Sequence, residues 1–352
     1  MNKTSKDKKI LYFYAVRMSF VARDIEIMKR RYPLTEYYLD TKKKWKIPLR
    51  LFHQFIFLLA HIRSAKTIIC FFAGYHSLLP ALFGRIFSKP VLIFLGGADA
   101  YRYPSFNYGH FNKFLIGKFT CLSARLADLL IPVDDSLMYS ESDYYDAEYA
   151  KQGIRHFCRD LKTPSQTISL EYDPDLFYRK SENVAGNTFI TAGFGIEGSS
   201  FVRKGIDIII EVAKLLPDCE FTVLGCSPDV IKVPFTANVK FIPPVPYEKL
   251  AGIYSQNRFY LQLSIAEGFP SAICEAMLCE CIPIGSKVAA IPLIVGDTGF
   301  ILEKRDVNQL KGIIEIALAR EDLPELGRKA RQRISEKFHP GARSEKIYEI
   351  LS

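Results

Sequence analysis

Short apolar runs alternate with stretches of helical period along almost the whole chain, the pattern of βα units whose strands are buried on both faces. In the first half the predicted strands are ILYFYAV (10–16), TIICFF (67–72), VLIFL (91–95) and LLIPV (129–133). The pattern restarts with TFITAGF (188–194), CEFTVLG (219–225), NVKFI (238–242), FYLQLS (259–264) and IPIGS (282–286). Between them KGIDIIIEVAKLL sets Ile206, Ile209, Ile210 and Ala213 on one helical stripe. The expected fold class is α/β, with two Rossmann-like doubly wound domains and a cleft between them.

The break between the halves falls in LFYRKSENVAGN (176–187), which is polar, contains glycine and has no apolar period. The expected domains are residues 1–182, residues 183–336, and a terminal helix in 337–352 that packs back on the first domain. That helix is signalled by HPGARSEKIYEILS, which starts at a proline and ends amphipathic. A length of 352 residues suits two cores.

Charge adds an asymmetry. Residues 1–180 hold 28 Lys and Arg against 17 Asp and Glu, whereas the remainder holds 19 against 21. A basic first half suits anionic lipid headgroups or a polyphosphate carrier, and nucleic acid is the competing partner. No uninterrupted apolar run reaches a membrane-spanning length, and the N-terminus lacks the pattern of a secretory signal. The expected location is the cytosol or, peripherally, the inner face of a membrane. The eight cysteines are scattered, several in apolar runs, and are expected to be reduced and packed. Cys274, Cys279 and Cys281 cluster without a nearby histidine or a zinc-site spacing, so no metal is assigned. The segment TKKKWKIPLRLFHQFIFLLAHIRSAK (41–66) joins a cationic cluster to Trp45, Leu49, Leu51, Phe52, Phe55 and Leu58. It reads either as a membrane-resting helix or as an ordinary domain helix after a solvated charge run.

The most specific chemical signal is AEGFPSAICEAM (266–277), directly after FYLQLS. A strand ending at Ser264, a turn through Gly268, Phe269 and Pro270, and a helix starting at Ser271 present free backbone N–H groups at the carboxyl edge of a sheet, where anions bind. Ser271 and Glu275 share a helix face opposite Ile273, Ala276 and Met277. Glu267 stands ahead of the helix, so two carboxylates flank one anion site and accept hydrogen bonds from hydroxyls. A diphosphate between two hydroxyl-rich sugars fits that pattern, and so does a pair of unrelated surface charges.

Glu267-x7-Glu275 within EGFPSAICEAM resembles the signature of the retaining glycosyltransferases of family four, which have the GT-B fold. The resemblance implies that Glu275 holds the ribose hydroxyls and Glu267 lies against the donor sugar. RKGIDIIIEVAKLL is similar to the family's diphosphate-clamping helix start, which gives Lys204 that role with Arg203 beside it. KVAAIPLIVGDTGFILEKRD (287–306) resembles the following loop and strand, and EYDPDLFYRK (171–180) the domain junction. GGADAYRYP and ARLADLLIPVDDSL resemble first-domain elements more loosely. The implied activity is a metal-independent transfer from a nucleoside-diphosphate sugar, the co-substrate and sole implied small-molecule requirement, to a glycan or lipid-linked acceptor.

Several positions depart from the family. The turn after the first strand reads AVRMSF without a glycine pair, and Gly193-Phe194-Gly195 precedes an insertion before Arg203. Gly195 is taken as a donor contact. The family's first-domain histidine position is Gly96, leaving His76 as a catalytic candidate and Asp99 as an acceptor-side one. Ala289-Ala290 stand where the family has two glycines. Asp173-Pro174-Asp175 spells a metal-binding DxD but lies at the inferred junction, and GFGIEG lacks the context of a dinucleotide fingerprint. Other readings are a nucleotide-sugar epimerase, a non-catalytic nucleotide-sugar or glycan-binding subunit, and a nucleic-acid binder. The last has no reading motif beside its charge, so no nucleic-acid partner is assigned.

Overall fold

The computed structural model describes residues 9–41, 43–180, 184, 186–193 and 195–352, without the side chain of Lys44. The expected boundary at residue 182 and Lys42 of the cationic cluster lie outside the described residues. The chain forms two compact units, each assembled from non-contiguous segments: residues 1–140, 151–170 and 341–352 in the first, and 141–150 with 171–340 in the second.

The first unit holds five parallel strands, β1 (Lys9–Tyr14), β2 (Leu34–Tyr38), β3 (Ala65–Phe71), β4 (Val91–Leu95) and β5 (Leu129–Pro132), in the order β2-β1-β3-β4-β5. Four match the apolar runs. Strand β2 does not follow from the apolar pattern, because LTEYY is an edge strand that leaves Tyr38 exposed and carries Glu36. The core beneath β1, β3 and β4 includes Tyr12, Ile69, Phe71 and Phe94, and it takes in Ile347 and Leu351 from the last helix, Ala342–Leu351. That helix is fixed to Ser19–Lys29 by a two-pronged ion pair: Arg343 Nε and Nη2 each donate to Asp24 at 2.6 Å, with both side chains buried.

One expectation is corrected in this unit. The cysteines are not all free thiols: Cys121, on the helix Phe114–Leu126, is bonded to Cys158, with Cα atoms 5.3 Å apart. Thirty-seven residues separate them in sequence, so no local spacing announced the pair. The other six are buried and free, and burial pushes thiols such as Cys274 and Cys281 well up.

The second unit holds six parallel strands, β6 (Thr188–Ala192), β7 (Glu220–Leu224), β8 (Val239–Ile242), β9 (Phe259–Gln262), β10 (Ile282–Ser286) and β11 (Phe300–Leu302). Their order is β8-β7-β6-β9-β10-β11, so successive connections run outward in opposite directions from the pair β6 and β9. A crevice opens at the carboxyl ends of two such strands because their following loops diverge. Five strands match the apolar runs, and β11 is a three-residue edge strand. Among the described residues no helix is long and apolar enough to cross a membrane.

Candidate functional site

The carboxyl ends of β6 and β9 carry the charged residues singled out in the sequence. After β6 the chain passes Gly193 and Gly195, makes the short helix Ser199–Arg203, and reaches Lys204 and Gly205 before the helix Ile206–Leu215. Gly195 takes a left-handed conformation (φ 62°) with open space around it, so the backbone angle demands glycine there. Gly205 is required twice over. Its φ is 77°, and a Cβ would stand 2.5 Å from the carbonyl oxygen of Leu263. This close approach ties the Lys204 turn to the end of β9, and Ile265 N–H donates to the Arg203 carbonyl at 2.8 Å.

Glu267 is the centre of the resulting network. Lys204 Nζ donates to its Oε1 at 2.5 Å, Ser264 Oγ at 2.8 Å and Gln262 Nε2 at 3.3 Å. Gln262 Nε2 also donates to Ser264 Oγ at 2.8 Å, and Tyr260 OH donates to the Ala192 carbonyl of β6 at 3.3 Å. Burial pushes the Glu267 carboxyl up, but the charges of Lys204 and Arg203, with hydrogen bonds from Lys204 and Ser264, outweigh it and leave the pKa lowered. Arg203 Nη1 donates to the Ala266 carbonyl at 3.3 Å, which places a guanidinium beside the ammonium. The arrangement is a preorganised cationic pair held by a carboxylate at the sheet's switch point.

Next in the chain, Gly268, Phe269 and Pro270 form a buried turn, and the helix Ser271–Leu278 begins with Pro270 extended and no side-chain cap. Ser271 accepts the Tyr172 hydroxyl hydrogen at 3.1 Å, while Tyr172 stacks on Phe269 with ring centres 6.3 Å apart. Glu275 differs from the two-faced reading of this helix. It is 5% exposed, and every residue from Ile273 to Leu278 is buried. Its Oε1 accepts a hydrogen bond from Tyr247 OH at 3.2 Å.

Sequence reasoning passed over Gln262, Tyr260, Tyr247 and Tyr172. A signal for the first two existed: Tyr260 and Gln262 alternate along the fully buried β9 and so share one face, with buried Ser264 two residues further on, and buried polar groups in succession call for partners. Nothing in the local pattern joined Tyr247 to Glu275.

His76 and Asp99 lie in the first unit. His76 is 3% exposed, its Nε2 is 2.7 Å from the Phe71 carbonyl oxygen, and burial lowers its pKa to about 4. Asp99 is fully buried and accepts backbone N–H donors from Ala73, Gly96 and Gly97 at 3.0–3.2 Å. Burial raises its carboxyl to about 6 against those hydrogen bonds. Both therefore hold the turns after β3 and β4, where Phe72 takes a left-handed conformation (φ 67°). Asp173 and Asp175 form a local turn in which Asp173 Oδ1 accepts from Asp175 N–H at 2.9 Å. Ala289, at one of the family's glycine positions, still takes a left-handed conformation (φ 49°).

Two Rossmann-like units of parallel sheet flanked by helices give the chain the GT-B fold. Its backbone is similar to that of HepE from Anabaena, solved in complex with UDP and glucose (TM-score 0.70, 17% identity, 98% of this chain and 99% of that one). It is also similar to sucrose-phosphate synthase from Thermosynechococcus elongatus (TM-score 0.69, 14% identity, 98% of both chains). Residues 198–337, which contain Arg203, Lys204, Glu267 and Glu275, match the family model of the glycosyl transferases group 1. Among curated relatives, a component of the phosphatidylinositol N-acetylglucosaminyltransferase of Arabidopsis thaliana is 25% identical over 128 residues, 33% of this chain and 29% of the relative. O-antigen chain mannosyltransferase B of Escherichia coli is 33% identical over 76 residues (22% and 20%). N-acetyl-alpha-D-glucosaminyl L-malate synthase of Bacillus anthracis is 28% identical over 156 residues (42% and 40%). These matches thus cover at most 40% of each relative's own length.

Proposed function

We propose that the chain is a retaining glycosyltransferase that moves a sugar from a nucleoside-diphosphate sugar to a glycan or lipid-linked acceptor. The observation that carries this reading is the Lys204–Glu267 pair, with Arg203 beside it, at the carboxyl ends of β6 and β9. An ammonium already desolvated and oriented by a carboxylate is well suited to an incoming polyphosphate. Charge placed beforehand where negative charge develops lowers a barrier without reorganisation.

In the proposed reaction the bond between the anomeric carbon and the diphosphate oxygen breaks, and the electron pair leaves with the nucleoside diphosphate. Lys204, Arg203 and the backbone N–H groups at the start of Ser271–Leu278 receive that charge, so the transfer is assigned no metal ion. The acceptor hydroxyl attacks the vacated face and passes its proton to the departing diphosphate oxygen on that same face, which preserves the anomeric configuration. Glu275, shielded and oriented by Tyr247, takes the ribose hydroxyls as hydrogen-bond acceptor, and Glu267 lies against the donor sugar.

A thermal-shift panel of nucleoside diphosphates and their sugars tests the reading, because a ligand that binds only the folded chain raises the melting temperature by mass action. At least one base should give a shift that Lys204→Ala abolishes. No shift with any nucleotide sugar would overturn the proposal, and conversion of a donor without any acceptor would replace transfer by epimerisation.

A further inference from the structure

Between Asp40 and Asp128 the sequence contains thirteen Lys and Arg residues and a single acid, Asp99, which is fully buried. This stretch builds three helices that lie side by side in the first unit: Ile47–His61, Tyr75–Phe87 and Phe114–Leu126. None of the three contains an Asp or a Glu.

Their outer faces are apolar to an unusual degree. The helix Ile47–His61 buries only Gln54 and Leu58, and it is anchored by Gln54 Nε2 donating to the His76 carbonyl at 2.8 Å. Trp45, Leu49 and Phe52 are 77%, 68% and 63% exposed, and Ile86 and Phe114 are exposed on the other two helices. Phe55 and Phe83 meet with ring centres 5.5 Å apart, so the first two helices present a joined surface. Cations are interleaved with these side chains. Lys113, Lys118 and Arg125 border a depression walled by Phe111, Leu122 and Phe157, and Lys118 Nζ lies 4.2 Å above the Phe114 ring.

We propose that this face docks on an anionic lipid bilayer, with Trp45, Leu49, Phe52 and Phe114 entering the headgroup boundary and the lysines and arginines meeting lipid phosphates. Contiguous exposed apolar area marks an interaction surface, and cations around it select a negatively charged apolar partner. A second copy of the chain would bring two cationic faces together. Nucleic acid would leave the large aliphatic side chains in water.

Co-sedimentation of the full chain with vesicles of phosphatidylcholine, with and without about one-third phosphatidylglycerol, tests the docking independently of any transfer activity. Binding to the anionic vesicles should be about ten-fold or more stronger than to neutral ones, and should weaken in about 0.5 M salt. The variant L49D/F52D/F114D, changed only at exposed positions, should lose about ten-fold in binding with an unchanged melting temperature. Equal binding to both vesicle types, no binding to either, or undiminished binding by the triple variant would overturn the proposal. So would preferential binding to duplex DNA offered in competition with the vesicles.

Discussion

Lys204 Nζ and Glu267 Oε1 stand 2.5 Å apart although sixty-three positions separate them in the chain, and the contact closes the gap between the two strands at which the sheet order reverses. The pair has two consequences that pull in opposite directions. Glu267 holds the Lys204 ammonium in place, yet it must share that charge when a diphosphate arrives.

Removing the ammonium should therefore damage turnover more than folding. Lys204→Ala is expected to lower kcat by about 100-fold or more, the size of effect seen when one preorganised charge-stabilising group is lost. Steady-state release of nucleoside diphosphate measures it. An enzyme of unchanged activity would take the diphosphate away from Lys204.

Glu275 acts on the donor before the reaction. Glu275→Ala is expected to raise the donor KM about ten-fold or more while changing kcat less, since a hydroxyl-accepting carboxylate binds ground and transition states alike. Tyr247→Phe, which deletes the hydrogen bond to Glu275, should give a smaller shift in the same direction. Titration calorimetry with the nucleoside diphosphate separates the two effects.

The pair of Asp24 and Arg343 predicts a stability cycle within the first unit. Breaking a buried ion pair from one side leaves the other charge stranded at a cost of about 3–5 kcal/mol. Asp24→Leu and Arg343→Met should each lower the urea midpoint sharply, and the two combined should recover much of the loss. Additive losses in the double variant would show that the two residues do not act as one unit.

Acid should weaken the first unit by way of its histidines. His76 and His110 have folded pKa values of about 4, lowered mainly by burial, against an ordinary 6.5. The unfolded chain binds their protons first, so stability is lost as pH falls from about 6.5 towards 4, by up to about 3 kcal/mol for each histidine. Asp99, raised to about 6, opposes this in part, because its folded form takes up a proton as pH falls through that value. Calorimetry at pH 7 and pH 5 should show a lower first-unit transition at pH 5, and replacement of His110 by Phe should reduce the difference.

Strands buried on both faces were legible because burial on two sides demands an unbroken apolar run, as in VLIFL of β4 and IPIGS of β10. The edges were not. LTEYY of β2 pairs with one neighbour only and carries polar side chains that an interior strand would not tolerate. The charged part of the site was legible through Lys204, Glu267 and Glu275, whose turn and helix context is local. Its supporting groups were less so, since Tyr247 meets Glu275 across twenty-eight positions and Tyr172 meets Ser271 across ninety-nine. The joining of Cys121 to Cys158 likewise depends on how a helix lies against a later turn.

The first unit is completed by residues 341–352, which follow the whole of 171–340 in the chain. On the ribosome Asp24 thus emerges 319 residues ahead of the guanidinium that neutralises it, with the second sheet synthesised in the interval. The familiar vectorial order, in which an N-terminal body is finished before its successor, is reversed at this last step. Until the helix Ala342–Leu351 emerges, the earlier-made half lacks the side chains of Ile347 and Leu351 that join its core, a natural point of vigilance for chaperones and proteases.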